Sequence, residues 1–396
     1  MNNQEIIELT DTHVAGTYAR FPIAIVKGAG TRVWDADGKE YLDFVSGLAV
    51  CNPGHCHPKV VEAIKAQAEQ LLHVSNLYYI GPQAELARLL CAHSFADRAF
   101  FCNSGAEANE AAIKLVRKYF NSRGAERFQV ISMKKSFHGR TFATLAATGQ
   151  EKVRAGYEPL LETFTYVPFN DLGAIEAAIT EKTAAVIVEP IQGEGGVNLP
   201  DDGYLKGLRK ICDDAGVLLI FDEVQVGVGR TGTLFAYENY GVEPDIMTLA
   251  KGLGGGMAIG AMLAKESVAE AFGPGSHATT FGGNPLATAA ARAAVEAVLD
   301  EGMLENCKVQ GTYIMERLEG LKSKYSFIKE VRGKGLIIGM ELDILAGPIV
   351  TACMGLGLLI IGAGELVLRF LPALIITREE VDEMMEILVA VLDTVE

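Results

Sequence analysis

Short β-rich runs separated by helix-length amphipathic stretches fill the middle of this chain, and that alternation leaves few ways to fold. The runs are Ala99 to Cys102, Phe128 to Met133, Ala184 to Val188, Val217 to Phe221 and Asp245 to Ala250. Most are apolar along their whole length, so neither face can meet water, and the expected arrangement is a largely parallel sheet covered by helices. Between the runs, Ala106 to Tyr119 and Tyr204 to Ala215 have helical apolar spacing. Near the C-terminus Thr377 and Glu380 make a capping box, and Val381, Met384, Met385, Leu388, Leu392 and Val395 line one face of the helix that follows. A chain of 396 residues suggests two domains of unequal size. One boundary is expected near residue 45, after a strand pair from Thr31 to Phe44 around the turn Asp37-Gly38. The other is expected in the alanine-rich helix Ala289 to Leu299.

In an open sheet of this kind, ligands bind beyond the C-terminal ends of the strands. The residues just after each run are therefore the informative ones. After Asp245–Ala250 comes Lys251, followed by four glycines among the next five residues. Lysine is rarely buried without a partner, and a solvated ammonium is the plainer role for it. The apolar run before Lys251 and the glycines after it argue for delivery into the interior instead. There, lost hydration lowers an amine pKa from about 10.4 and frees a nucleophile for Schiff-base chemistry.

Four other strand ends could complete a site. Ser104-Gly105-Ala106 opens a helix, whose free N–H groups and dipole suit an anion, although Ser104 with Glu107 also reads as an ordinary capping box. Asp222 ends the run Leu218–Phe221, where a carboxylate requires a cation, a hydrogen-bond donor or a local turn to cap. Phe137-His-Gly-Arg140 sets a flat ring beside a guanidinium able to grip a carboxylate; core packing and a surface ion pair are the alternatives. Glu189 and Glu194 lie around the end of Ala184–Val188. Anion cradle, aromatic plate, buried acid and imine-forming lysine together match the phosphate, ring, ring nitrogen and aldehyde of pyridoxal phosphate. Glu189 and Asp222 could instead serve as a glycosidase acid and base, or the chain could be a non-catalytic binder. The first reading leaves Lys251 idle, and an intact Lys251 with Asp222 argues against the second.

Composition excludes other classes. A net charge of -15 opposes general affinity for nucleic acid or anionic membranes. The seven scattered cysteines contain no CxxC pair and suit reduced thiols in the cytosol. His55-Cys56-His57 looks metallic, but it lacks a second ligand pair at zinc-site spacing, and no metal is expected. The start of the chain has no signal-like segment, and no apolar run reaches about eighteen residues, so neither secretion nor membrane anchoring is expected.

Phe221-Asp-Glu-Val-Gln225, Gly227-Val-Gly-Arg-Thr-Gly232, Ala250-Lys-Gly252 and Thr279-Thr-Phe-Gly-Gly-Asn-Pro285, with the segments above, resemble the class III, ornithine-type, aminotransferases from about Thr17 almost to the end. The resemblance implies an α/β fold-type I pyridoxal 5'-phosphate transferase, with a large domain of mostly parallel sheet covered by helices and a smaller α+β C-terminal domain. The division would be residues 1–45 packing with the small domain, 46–290 binding the cofactor, and 291–396 forming the small domain. It implies that Lys251 carries the Schiff base, Asp222 pairs with the ring nitrogen, and Gln225 lies near the ring hydroxyl. Ser104, Gly105 and Ala106 would hold the phosphate, Phe137 would stack on the ring, and Thr280 would reach the phosphate of a neighbouring subunit in a homodimer.

Tyr18-Ala-Arg-Phe-Pro22, Asn52-Pro-Gly-His-Cys-His-Pro58 and Ser75-Asn-Leu-Tyr-Tyr79 resemble the branch of the family that takes an acetylated ornithine. This implies transfer of the terminal amino group of N2-acetylornithine to 2-oxoglutarate, in arginine biosynthesis. Arg140 would bind the α-carboxylate of that donor, with Thr279 close by. Arg369 would take the α-carboxylate of glutamate, and Glu194 would mask it when the other substrate binds. Two departures stand out. Leu48 replaces the tyrosine of the ornithine enzymes, which disfavours a free second ammonium. The loop Ile360–Glu365 is unusually rich in glycine.

Overall fold

The computed structural model of the chain describes residues 1–395. Strands β1 (Ile25–Ala29), β2 (Arg32–Asp35) and β3 (Glu40–Asp43) come first. The middle of the chain forms β4 (Arg98–Cys102), β5 (Gln129–Met133), β6 (Phe164–Val167), β7 (Thr183–Val188), β8 (Leu218–Asp222), β9 (Ile246–Leu249) and β10 (Gly260–Ala264). After it come β11 (Ile328–Lys334), β12 (Ile337–Leu342), β13 (Leu358–Leu359), β14 (Ile361–Gly362) and β15 (Val367–Phe370).

The central sheet has the order β4-β10-β9-β8-β7-β5-β6. Neighbours from β9 to β6 pair in parallel, and β10 runs against both β4 and β9. Every residue of β7, β8, β9 and β10 is buried, which is why those sequences carry no polar alternation. Each expected run is a strand whose ends differ by at most one residue. β6 and β10 were not expected: Gly260-Ala-Met-Leu-Ala264 has no β-branched residue, and only its position between two other strands makes it one.

Two smaller four-stranded sheets flank the centre. In one, the hairpin β2–β3 around Gly38 (φ +89°) is extended by β1 and, in parallel, by β13, so residues from both ends of the chain share a sheet. The other is antiparallel, β11-β12-β15-β14, and carries Arg369 on β15. The helix Arg378–Leu392 begins at the expected box, with Thr377 accepting from Glu380 N–H, and buries Val381, Met384, Met385, Leu388 and Leu392. Val395 packs beside them, partly buried. The alanine-rich helix runs from Pro285 to Asp300, capped by Asn284, and its small side chains allow close approach to the helices Pro58–Ala68 and Gly81–Ala92 and to the turn after Lys251. A single apolar core links the central sheet, through Phe221, Leu249 and Leu263, to Val298, Ile338 and Leu388.

Candidate active site

Strand β9 ends at Leu249, and the chain then turns so sharply that Lys251 takes φ +40°. A non-glycine residue in that region costs about 1–3 kcal/mol, and such strain persists only where its surroundings enforce it. The turn is held tightly: a Cβ on Gly252 would lie 2.3 Å from the Asn52 amide nitrogen, which donates to the Val228 carbonyl and would have to move. Lys251 is thereby aimed into a cavity of about 450 Å³ at the C-terminal ends of the parallel strands. Burial pushes its ammonium pKa down and Arg369 adds to the effect, against the opposing pull of Glu194, Asp222 and Glu189. Larger cavities of about 520, 530 and 630 Å³ lie elsewhere, but none of them gathers a buried acid and a lysine.

Asp222, at the last position of β8, is 3% exposed and faces the same cavity. Its Oδ2 accepts from Asn109 Nδ2 (2.7 Å) and His138 Nδ1 (2.7 Å), and Oδ1 accepts only from Val224 N–H (3.0 Å). Asn109 also donates to the His138 carbonyl and accepts from Thr248 Oγ1 at 2.8 Å. The acid is thus more than a turn cap: side chains from a helix and a loop fix one oxygen and leave the other able to meet a ring N–H. Sequence reasoning missed Asn109 and His138. Asn109 sits among the buried residues Ala108, Ala111, Ala112 and Ile113 of its helix, and a polar side chain on an apolar face was the available signal. His138 lies in the quoted stretch between Phe137 and Arg140, and its Nε2 is buried without a partner.

The anion cradle differs from an ordinary capping box. Ser104 Oγ accepts from Glu107 N–H (3.2 Å), but the Glu107 carboxylate reaches past Ser104 to the Asn103 N–H (2.6 Å). The N–H groups of Ser104, Gly105 and Ala106 therefore donate to no oxygen among the described residues, at the positive end of a 17-residue helix. A Cβ on Gly105 would lie 2.7 Å from Val224 Cγ1, so glycine lets this turn sit against the residue that bonds Asp222.

Phe137 is half-buried on the cavity wall, not part of the core, with the exposed Arg140 guanidinium 5.7 Å from its ring centre. Arg140 makes no ion pair among the described residues, contrary to the surface-bridge alternative. Glu189 accepts from Phe137 N–H (2.9 Å) and Gly193 N–H (3.3 Å), joining the plate to the next loop. Burial pushes its carboxyl up to about 7; His138 opposes the rise and Asp222 adds to it.

Arg369, 1% exposed, enters from β15 and donates through Nη1 to Glu194 Oε1 (2.8 Å) and Gln225 Oε1 (3.1 Å). Gln225 Nε2 donates to the same Glu194 oxygen at 3.0 Å. Burial alone would raise the Glu194 carboxyl, but Arg369 and Lys251 outweigh it and hold it at about 2. Glycine at 193 makes room for this network, since a Cβ would come within 1.9 Å of Gln225 Oε1 and push it aside.

The cavity wall thus joins Ser104, Gly105, Ala106, Phe137, Arg140, Glu194, Asp222, Gln225 and Lys251, and Arg369 reaches it through Glu194 and Gln225. Thr279 and Thr280 are not on that wall. Thr279 is one bond away, accepting from Asn103 Nδ2 (3.3 Å), and Thr280 is exposed. Leu48 also stands off the wall, which Val50 reaches instead. Ser46, Gly47, Leu48 and Ala49 all have positive φ, a left-handed turn whose first N–H groups are held by Asp43 Oδ1. The neighbouring histidines are bound to carboxylates: His55 to Asp43 (2.6 Å) and His57 to Glu301 (3.2 Å).

Residues 13–392 match the family model described as aminotransferase class-III. An acetylornithine aminotransferase of Methanocaldococcus jannaschii is 54% identical over 391 residues, covering 98% of this chain and 98% of the relative. The ornithine aminotransferase of Toxoplasma gondii, crystallised with partial occupancy of PLP at its active site, superposes with a TM-score of 0.95 at 34% identity, covering 100% of this chain and 95% of that one. The N-acetylornithine aminotransferase of Stenotrophomonas maltophilia gives a TM-score of 0.85 at 41% identity, with 98% of each chain covered.

Proposed function

The chain belongs to the class-III aminotransferases, and from that premise we propose how its residues carry out a pyridoxal-phosphate-dependent transfer of the terminal amino group of N2-acetylornithine to 2-oxoglutarate. The residues fit the cofactor. Three N–H groups without an acceptor among the described residues would hold a phosphate, Asp222 Oδ1 would pair with a ring nitrogen, Phe137 would back the ring, and the amine of Lys251 would hold the aldehyde carbon. Bound pyridoxal phosphate supplies an aldehyde that takes up amino groups and a protonated ring that draws off electrons from the reacting carbon. Asp222, fixed by Asn109 and His138, keeps that ring nitrogen protonated. Lys251 Nζ, with its proton affinity lowered by burial, moves a proton to and from the substrate carbon bearing the amine. Gln225 serves the ring hydroxyl from its place beside Glu194.

The substrates differ in which carboxylate must be held. Acetylornithine reacts at its far end, so Arg140, exposed and without an ion-pair partner among the described residues, grips its α-carboxylate with Thr279 nearby, while Glu194 stays on Arg369. Glutamate reacts at its α carbon, so its carboxylate takes Arg369 and Glu194 turns away. Leu48 offers no hydroxyl to a second ammonium and suits an acylated amine. Thr280 serves the phosphate of a second subunit. Exposed apolar residues around it support a homodimer, among them Phe281 and the run Leu77-Tyr78-Tyr79, with Leu77 82% exposed in the single chain. The seven free cysteines favour the cytoplasm.

One observation carries the reading: a desolvated lysine and a buried, three-bonded carboxylate face a single cavity beside an open helix N-terminus. The purified protein is expected to be yellow, and borohydride should fix a pyridoxyl group on Lys251; Lys251→Ala should bind the cofactor yet turn nothing over. Comparison of kcat/KM for acetylornithine, ornithine and 4-aminobutyrate tests the donor. Colourless protein, or a preference for free ornithine, refutes the corresponding part.

A further inference from the structure

Glu194 can leave and regain Arg369 only if the loop that carries it stays in place. Gly193–Asn198 closes on itself through Gln192 and Asn198, which exchange two backbone bonds of 3.0 Å, and through Val197 N–H to the Gly193 carbonyl at 3.3 Å. Within it Val197 has φ +54°, a conformation that a β-branched residue adopts only under constraint. Something outside the loop must supply that constraint.

The sheet that bears Arg369 does so. Arg332 on β11 pairs with Gly339 on β12, and Gly339 pairs with Arg369 on β15. Residues directly opposite one another in an antiparallel sheet share a face, so the two arginines stand in one row with a glycine between them. The glycine makes room for the loop: a Cβ at 339 would lie 2.9 Å from Val197 Cβ. Arg332 then donates from Nε to the Val197 carbonyl (2.9 Å) and from Nη2 to the Gly196 carbonyl (2.7 Å). Its Nη1 is held by Glu330 (2.8 Å) and Glu341. Arg332 grips main-chain carbonyls, whereas Arg369 grips a side chain that is 30% exposed.

We infer that Arg332 is a positioning residue for substrate selection, the fixed anchor of the Glu194 loop, so that the exchange of Glu194 for a substrate carboxylate on Arg369 is a side-chain motion on an immobile backbone. The inference rests on the proposed roles of Glu194 and Arg369. Without the anchor Glu194 would leave Arg369 more often. The bare guanidinium would then compete for the carboxylate of acetylornithine and draw that substrate into the wrong orientation, while glutamate would lose nothing.

The test uses the holoenzyme of Arg332→Met, with Glu341→Gln as a milder variant that removes one holder of the guanidinium. Amide hydrogen exchange across Gly193–Asn198 is expected to accelerate roughly tenfold or more in Arg332→Met and less in Glu341→Gln, with β8 unaffected. In separate half-reactions kcat/KM for acetylornithine should fall about tenfold relative to that for glutamate, with KM for glutamate unchanged or lower. Unchanged exchange in the loop overturns the inference, and so does an equal fall in both half-reactions. If Arg332→Met does not fold, Glu341→Gln decides by the same two readouts. Should the unmodified enzyme act on neither substrate while loop exchange still accelerates in the variant, the anchor stands and the substrate assignment falls.

Discussion

Replacing Glu194 with glutamine tests the shared use of Arg369 most directly. The Arg369 side chain is 1% exposed, and its charge is met at 2.8 Å by Glu194, with a neutral contact to Gln225 at 3.1 Å. Attraction between unit charges at this range is about 6 kcal/mol at the effective dielectric of a protein site, but desolvation cancels much of it, and a charge-assisted bond contributes about 1.5–3 kcal/mol net. A neutral glutamine that still accepts from Arg369 would contribute about 1 kcal/mol. If glutamate takes Arg369 as proposed, it must displace this partner, so Glu194→Gln would spare it roughly 0.5–2 kcal/mol, a gain of about 2-fold to 30-fold in kcat/KM for that half-reaction. Acetylornithine, for which the proposal keeps Arg369 covered, should lose activity. Stopped-flow absorbance of the two half-reactions measures both. Parallel changes, or a slower glutamate half-reaction, would show that Glu194 does not mask Arg369. The folded-state pKa of Glu194 lies near 2, below its ordinary 4.5, so the stability from the pair is present above about 4.5 and lost as pH falls through about 2. Titration of Glu194 should therefore leave the ratio of half-reactions unchanged from pH 6 to 9.

Further outcomes follow from one buried carboxyl and from two glycines in different surroundings. Glu223 accepts from the N–H groups of Ala236 and Tyr237 in a site where burial pushes its carboxyl up to about 8; a raised folded pKa means that stability falls as pH rises from about 4.5 to about 8. Glu223→Gln should flatten that decline in urea midpoints measured at pH 5, 6, 7 and 8, and an unchanged slope would refute the assignment. Gly105→Ala places a methyl 2.7 and 2.9 Å from the two Val224 methyls and should cost about 1–3 kcal/mol of stability, with roughly tenfold weaker cofactor binding by fluorescence titration. Gly81→Ala, with nothing within 4 Å of the new carbon, should stay within about 0.5 kcal/mol of the parent in the same assays.

The strands that build the site are legible because burial on both faces writes itself into consecutive residues, as in Leu218-Leu-Ile-Phe-Asp222. A strand such as Gly260–Ala264 is not, because its residues have no β preference and it exists only by pairing with β4 and β9. Within the site, Lys251 and Asp222 stand out where apolar runs stop. The partners of Asp222 do not: His138 is 84 positions away along the chain, and nothing local to it reports the carboxylate it meets. Ser104 and Glu107 show the opposite limit, since their spacing suggests a reciprocal box while the carboxylate takes the Asn103 N–H, one residue earlier.

Periodicity, caps and the placing of a lysine and an aspartate at strand ends act over a few residues, through backbone preference and the cost of burying a charge, so the chain carries them wherever it folds. Which carboxylate covers Arg369, which arginine holds the loop beneath that carboxylate, and which N–H groups stay open for an anion depend on atoms brought together across far longer separations, 175 positions for Arg369 and Glu194. Strand register and packing decide those pairings. A one-residue slip of β12 would remove Gly339 from between Arg332 and Arg369 and leave Val197 no room, with every local preference of the chain unchanged.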